Sequence, residues 1–239
     1  MYMNPVLTAA AVIPAIILLV KVYRADRLEK EPVALIVSLV GFGIMATLVA
    51  LVCEQLGERI LTSFFPEGSM GYNIIMYFGI VSFSEEGAKY LLLKRRTWYS
   101  PEFNCQFDGV VYGVSVSLGF ALWENLGYTA MYGMSTALLR AVTAVPGHAC
   151  FGVFMGVWYG MAKRWQESGV EGRSRLCRVF ALVIPALIHG CYDFIATYDS
   201  RGLSWIFVGF ISVLFAVSML LVRKMSAGDR YISGRRFYF

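Results

Sequence analysis

Charge is scarce in this sequence. Only 15% of its 239 residues are Asp, Glu, Lys or Arg, and 58% are hydrophobic, whereas a soluble domain carries about 25% charged residues. The mean hydropathy is +0.61. A chain that is solvated largely by lipid needs this deficit, because each charge in hydrocarbon is costly. The composition therefore excludes an ordinary soluble domain and favours an integral membrane protein.

The signatures of several common sites are also missing. The five cysteines are scattered and odd in number, so they predict no disulfide framework. The sequence has no His-Glu-x-x-His zinc motif and no Gly-x-Ser-x-Gly nucleophile elbow. The net charge of +5 predicts no nucleic-acid partner, because the basic residues flank apolar runs and form no continuous stripe.

Long apolar runs dominate the chain instead, and most of them reach the roughly 20 residues that cross a ~30 Å hydrocarbon core. The hydrophilic segments between them are too short to fold as a soluble domain. We therefore predict one integral membrane domain over residues 1–239, an all-α polytopic bundle in contact with membrane lipid in the cell membrane. The seven runs cover residues 4–23, 33–60, 72–93, 107–131, 135–162, 179–198 and 203–222.

The distribution of Lys and Arg predicts the orientation of these spans. If the spans are counted alternately, 17 of the 21 basic residues fall on one side, in segments 21–30, 94–96, 163–178 and 223–236. The other side has only Arg59 and Arg201. Because cytoplasmic loops are enriched in Lys and Arg, about seven spans are predicted, with the N-terminus outside and the C-terminus in the cytoplasm. Glycines at near four-residue spacing in the fifth run predict close helix packing; they are Gly147, Gly152, Gly156 and Gly160.

Ionisable and amide side chains lie within the third to sixth runs. Such residues are functional candidates by default, because lipid offers them no compensation. They are Glu85, Glu86 and Lys89 in the third run, Asp108, Glu124 and Asn125 in the fourth, Arg140 and His148 in the fifth, and His189 and Asp193 in the sixth.

The depth of these residues brings several of them to neighbouring levels. At about 1.5 Å per helical residue, Glu85 and Glu86 lie roughly 12 Å from the cytoplasmic end of their span. His189 lies roughly 15 Å deep, and His148 and Asp193 roughly 21 Å. We therefore predict that the glutamates and histidines converge on one water-filled cavity, open from the cytoplasmic half, with Asp193 orienting the His189 imidazole from one helical turn away.

Structural interpretations compete with this functional one. Glu86 and Lys89 could form a neutralised ion pair, and Glu124 and Arg140 could brace two spans near the outer surface. Asp108 could be hydrated at the interface or could cap the helix that begins there. These roles leave Lys89, Asp108, Glu124, Asn125 and Arg140 as supporting residues.

Several short motifs follow one another over roughly residues 20–200. The catalytic helices are expected at about 72–198. The motifs are Asp26-Arg27-x-Glu29-x-Glu31-Pro32, Glu85-Glu86-Gly87-Ala88-Lys89, Phe107-Asp108-Gly109-x-x-Tyr112-Gly113, Gly119-Phe120-Ala121-x-x-Glu124-Asn125-x-x-Tyr128, Arg140, Gly147-His148-Ala149 and His189-Gly190-x-x-Asp193. This set resembles the PrsW-type intramembrane proteases of the broad CPBP superfamily, which includes CAAX-processing proteases. In the first motif, Lys30 replaces a proline of the family's usual Glu-Pro-Glu-Pro.

The resemblance implies an intramembrane endopeptidase of glutamic type, although the family was first classed with metalloproteases. In its best-known branch the substrate is a single-pass membrane protein that restrains a sigma factor. We expect Glu85 or Glu86 to act as general base on a water. His148 and His189 are expected to hold that water or to donate to the oxyanion, with Asp193 orienting His189.

Three alternatives remain open from the sequence. No cofactor is expected, but two histidines and a carboxylate suffice for catalytic zinc, and His148, His189 and Glu85 are the candidate ligands. A proton-coupled transporter also uses ionisable residues inside helices, although the sequence has no paired repeats. A non-catalytic membrane scaffold would tolerate loss of the glutamates, which a protease would not.

Overall fold

The computed structural model describes residues 5–198 and 205–232, and every regular element in them is helical. The predicted all-α class is therefore confirmed over the described residues. The elements are α1 (Pro5–Ala25), α2 (Val33–Leu61), α3 (Met70–Ile74), a π-helical segment (Ile75–Val81), α4 (Ser82–Thr97), α5 (Asp108–Tyr132), α6 (Met134–Val142), α7 (Ala144–Glu167), α8 (Glu171–Tyr198) and α9 (Trp205–Ala227).

Five helical stretches are long and apolar enough to cross a membrane, so the chain is a multi-pass membrane protein. They are α1, α2, α6 together with α7, α8 and α9. The other two predicted spans correspond to the stretch from α3 to α4 and to α5. The count of seven spans and the direction of the termini stay predictions. Arg201, and the start of the seventh predicted span at 203–204, lie outside the described residues.

The sequence predicted one continuous span for the fifth apolar run, but the structure divides this run between two helices. The chain turns at Gly133, whose φ of +81° falls in the region that favours glycine. It breaks again at Thr143, between α6 and α7. Consequently His148 lies near the start of α7, and Arg140 lies at the end of the separate helix α6.

The central helix is α5, whose first fourteen residues are all buried. Glycines bring its neighbours to backbone contact. A Cβ atom at Gly113 would lie 2.5 Å from the carbonyl oxygen of Gly152 on α7. One at Gly119 would lie 2.2 Å from the carbonyl oxygen of Val40 on α2. The predicted close packing in α7 is confirmed for Gly152, Gly156 and Gly160, whereas a Cβ atom at Gly147 would meet only side-chain atoms at 3.4 Å or more.

The orientation of the bundle can be tested by cysteine labelling. We expect Glu67→Cys and Val170→Cys, in loops at opposite ends of the bundle, to react with a membrane-impermeant maleimide from opposite sides. Cys53, which is exposed, should first be replaced by serine. Glu67 is preferable to the neighbouring Gly68, whose φ of +77° would be strained by a side chain. Labelling of both positions from the same side would contradict the predicted topology.

Candidate active site

The two adjacent glutamates lie in the first turns of α4, directly after the π-helical segment. Such π-helical turns occur frequently at functional sites. Both glutamates are buried, with relative exposures of 7% for Glu85 and 0% for Glu86. Because successive helical residues point about 100° apart, the two carboxylates have different neighbours.

Lys89 connects both glutamates to the first histidine. Its ammonium Nζ donates to Glu86 Oε1 at 2.7 Å, to Glu85 Oε2 at 3.1 Å and to His148 Nδ1 at 3.1 Å. An ammonium has three N–H donors and no acceptor, so these contacts use all of them. Lys89 is fully buried, and its Nζ also lies 3.9 Å from the centre of the Phe120 ring. The ion pair considered for Glu86 is therefore present, but as part of a larger cluster.

His148 connects Lys89 to Glu124 through its two ring nitrogens. Because Lys89 can only donate, His148 accepts at Nδ1, and its proton is on Nε2. Nε2 lies 2.9 Å from Glu124 Oε2 and donates to it. The same carboxylate oxygen pairs with Arg140 Nη2 at 2.8 Å. The predicted brace between Glu124 and Arg140 is present, but Glu124 also contacts His148 directly, which the sequence did not indicate.

His189 approaches the same glutamates from α8. Its Nδ1 lies 3.1 Å from Glu86 Oε1 and 3.9 Å from Glu85 Oε2. Its Nε2 lies 3.4 Å from Asp193 Oδ2, which is long for a hydrogen bond. The ring stacks on Phe151, with the centroids 4.6 Å apart. Both ring nitrogens of His189 therefore face carboxylates, and the orienting role of Asp193 stays a prediction.

The remaining supporting residues divide between two places. Asn125 belongs to the outer end of the cluster, where its side chain donates to the Ala11 carbonyl at 2.9 Å and accepts from Arg140 Nε at 3.2 Å.

Asp108 lies far away, at the first residue of α5. Both sequence interpretations of Asp108 are wrong. It is 1% exposed, and its carboxylate accepts from amides of residues 104 and 105 in the preceding loop, not from the helix that it begins.

A cavity of about 440 Å³ lies beside the cluster, between α2 and α5. Of the five described residues predicted to be catalytic, Glu85 lines it and the other four are not among its lining residues. The cavity extends to Tyr132, at the end of α5 that the basic residues predict to be outside. The sequence predicted a cavity open from the cytoplasmic half, but this cavity extends toward the opposite end of α5.

The sequence interpretation also missed a residue of the cavity wall. Glu54 of α2 lines the cavity together with Glu85 and Glu124. A carboxylate within the second apolar run was the available signal, but it belongs to none of the quoted motifs.

The ligand geometry differs from the alternative zinc set that the sequence left open. The atoms that come within 4.8 Å of one another in this cluster belong to Glu85, Glu86 and His148, not to His148, His189 and Glu85. Lys89 Nζ lies within 3.1 Å of an atom of each member of this trio. A buried ammonium there opposes a divalent cation by charge repulsion. In this arrangement the residues do not fit a catalytic metal.

Comparison with known proteins gives consistent matches along the chain. The model of the family described as PrsW family intramembrane metalloprotease matches residues 31–222. The chain is 31% identical to "Protease PrsW" of Halalkalibacterium halodurans over 94% of this chain and 99% of that protein. It is 33% identical to "Protease PrsW" of Bacillus subtilis over 83% of this chain and 85% of that protein. No solved structure matches the chain.

Proposed function

We propose that this chain, which belongs to the PrsW family of membrane proteases, hydrolyses peptide bonds of single-pass membrane proteins. The attacking water is activated by Glu85. The protein is a protease of the cell membrane by family and by its apolar helices. The identity of the base and the class of substrate are proposals. The observation that carries them is the position of Glu85, which bonds to Lys89 on one side and lines the cavity on the other.

The surroundings of the two glutamates favour Glu85 as the base. Glu86 is fully buried, and its Oε1 accepts from Lys89 and lies 3.1 Å from His189 Nδ1. Glu85 has one contact to Lys89 and an edge on the cavity, where a water and a peptide can reach it. A general base must lie within hydrogen-bond reach of the proton that it removes. Glu86 then holds Lys89 and His189 in place.

The proposed reaction is a direct attack of water on the peptide carbonyl. Glu85 takes a proton from the water as the water oxygen bonds to the carbonyl carbon, and the C=O electron pair moves to the oxygen. When the tetrahedral intermediate collapses, the C–N bond breaks, and Glu85 passes its proton to the leaving nitrogen. His189, whose Nδ1 lies 3.9 Å from Glu85 Oε2, is the histidine that we expect to donate to the oxyanion.

The apolar lining of the cavity favours a substrate that is embedded in the membrane. Leu48, Leu51, Trp123 and Met131 line the cavity and are also exposed on the outside of the bundle. In a membrane these apolar side chains face lipid, so the cavity lies open to the side between α2 and α5. An apolar transmembrane segment can enter there without crossing water, and its peptide bonds then approach Glu85.

Cleavage in liposomes tests the proposed substrate class. The purified chain should cleave reporters in which a single transmembrane segment is joined to a soluble domain. It should not cleave the same soluble domain without that segment, because the segment delivers the peptide to the cavity. Glu171→Gln, which removes an exposed carboxylate remote from the cluster, is the matched control and should remain active. Equal cleavage of the reporter with and without its membrane segment would contradict the proposal.

A further inference from the structure

A second group of buried acids lies at the other end of α5. Carboxylate oxygens of Asp26, Glu31 and Asp108 lie within 4.8 Å of one another. Asp108 and Glu124 are sixteen residues apart on α5, which corresponds to about 24 Å along the helix. This acidic cluster is therefore separate from the proposed active site. It lies beside the basic loops that the charge distribution assigns to the cytoplasm.

Several carboxylate oxygens of this cluster have no hydrogen-bond partner among the described residues. Asp26 is 2% exposed and Glu31 is 5% exposed. Both carboxylate oxygens of Asp26 and Oε2 of Glu31 are buried without a hydrogen-bond partner. Oδ2 of Asp229 is in the same condition. Buried charges are normally paired or coordinate a metal, so these carboxylates are candidate ligands for a cation.

The nearest lysine does not supply that partner. Lys30 Nζ donates to the backbone carbonyls of Tyr23, Arg24 and Asp26 at the end of α1. These contacts use the three donors of the ammonium, so none is left for the Asp26 carboxylate. Lys30 therefore caps the C-terminus of α1 and does not hydrogen-bond to the carboxylates of the acidic cluster.

We propose that Asp26, Glu31 and Asp108 bind a hard divalent cation, Mg²⁺ or Ca²⁺, that ties the cytoplasmic loops together. Carboxylate oxygens are the ligands that these ions prefer, and water completes their coordination. The three residues come from segments far apart in the sequence. The 26–32 loop supplies Asp26 and Glu31, and Asp108 begins α5 and accepts from amides of the preceding loop at 2.7 and 3.0 Å.

The C-terminal segment joins the same assembly. Asp229 Oδ1 accepts from the Phe107 amide at 2.8 Å, and Ile232 donates to the Asn104 carbonyl at 2.7 Å. A cation on the acidic cluster thus fixes the loop before α5, which in turn holds the segment after α9. The ion would stabilise the cytoplasmic ends of four helices without touching the proposed active site.

Calorimetric titration of the full chain tests the proposal. The purified protein is treated with EDTA, transferred to chelator-free buffer above pH 7, and titrated separately with MgCl₂ and CaCl₂. We expect one saturable site per chain for at least one of the ions, with a matching rise in melting temperature. Asp26→Asn and Glu31→Gln should each weaken binding at least tenfold. The relative affinity for the two salts identifies the preferred ion.

Two controls locate the site. Glu171→Gln removes an exposed cytoplasmic carboxylate, and Glu85→Gln removes one from the proposed active site; both should bind the ion as the wild type does. Absence of saturable binding to the wild type up to about 10⁻³ M, the weak end of protein Ca²⁺ sites, would overturn the proposal and leave protons as the counter-charge. Unchanged binding in folded Asp26→Asn and Glu31→Gln would also overturn it.

Discussion

Replacing Glu85 by glutamine is expected to lower the turnover of a cleavable membrane substrate by about 10²–10⁴-fold, the usual contribution of a general base. Glutamine keeps nearly the same shape, and its carbonyl oxygen can still accept from Lys89. It cannot take a proton from water. The fold should therefore persist while turnover falls. The measurement is initial cleavage rate in liposomes, with melting temperature as the check on folding.

Two neighbouring glutamates provide the comparison. Glu54→Gln changes a carboxylate on the same cavity wall and should retain most activity if Glu85 is the base. Glu86→Gln removes an acceptor shared by Lys89 and His189 and should lower both activity and melting temperature. An inactive Glu54→Gln together with an active Glu85→Gln would refute the assignment and move the base to α2.

Replacing Lys89 by methionine is expected to destabilise the protein by about 3–5 kcal/mol, the usual cost of breaking a buried ion pair. The ammonium of Lys89 is the shared partner of Glu85, Glu86 and His148. Methionine fills a similar volume but leaves two carboxylates without that charge in a buried site. The measurement is unfolding in detergent as the denaturant concentration is raised.

A rescue variant and a matched lysine make this result specific. Adding Glu86→Gln to Lys89→Met removes one orphaned charge and should recover part of the lost stability. Lys163→Met breaks an ion pair with the exposed Glu167 and a hydrogen bond to the Trp98 carbonyl, for which a smaller loss of about 1–2 kcal/mol is expected. Equal losses for the two lysine variants would show that Lys89 is not the centre of a buried charge cluster.

The convergence of the glutamates and histidines could be predicted because depth along a helix is a local quantity. A rise of 1.5 Å per residue requires only the end of each span. The contact of His148 with Glu124 could not be predicted in this way. It depends on the rotation of α7 about its own axis, which the ends of the spans and the helical rise do not define.

The position of Asp108 shows a second limit of sequence-based prediction. Its position near the start of a helix was predicted, but its burial depends on loops that are distant in sequence. Asp26 and Glu31 were assigned only to a family loop, because nothing local brings them to Asp108. The tail after α9 and the loop before α5 meet only in the folded bundle, so the acidic cluster is a tertiary feature.

The most direct test of a metal-free, Glu85-activated water is metal analysis of the active purified protease. The protein should cleave its membrane substrate at an unchanged rate after zinc has been removed by a chelator, because the Lys89 ammonium lies among Glu85, Glu86 and His148. Stoichiometric zinc that is lost together with activity, and restored together with it when zinc is added back, would contradict this mechanism.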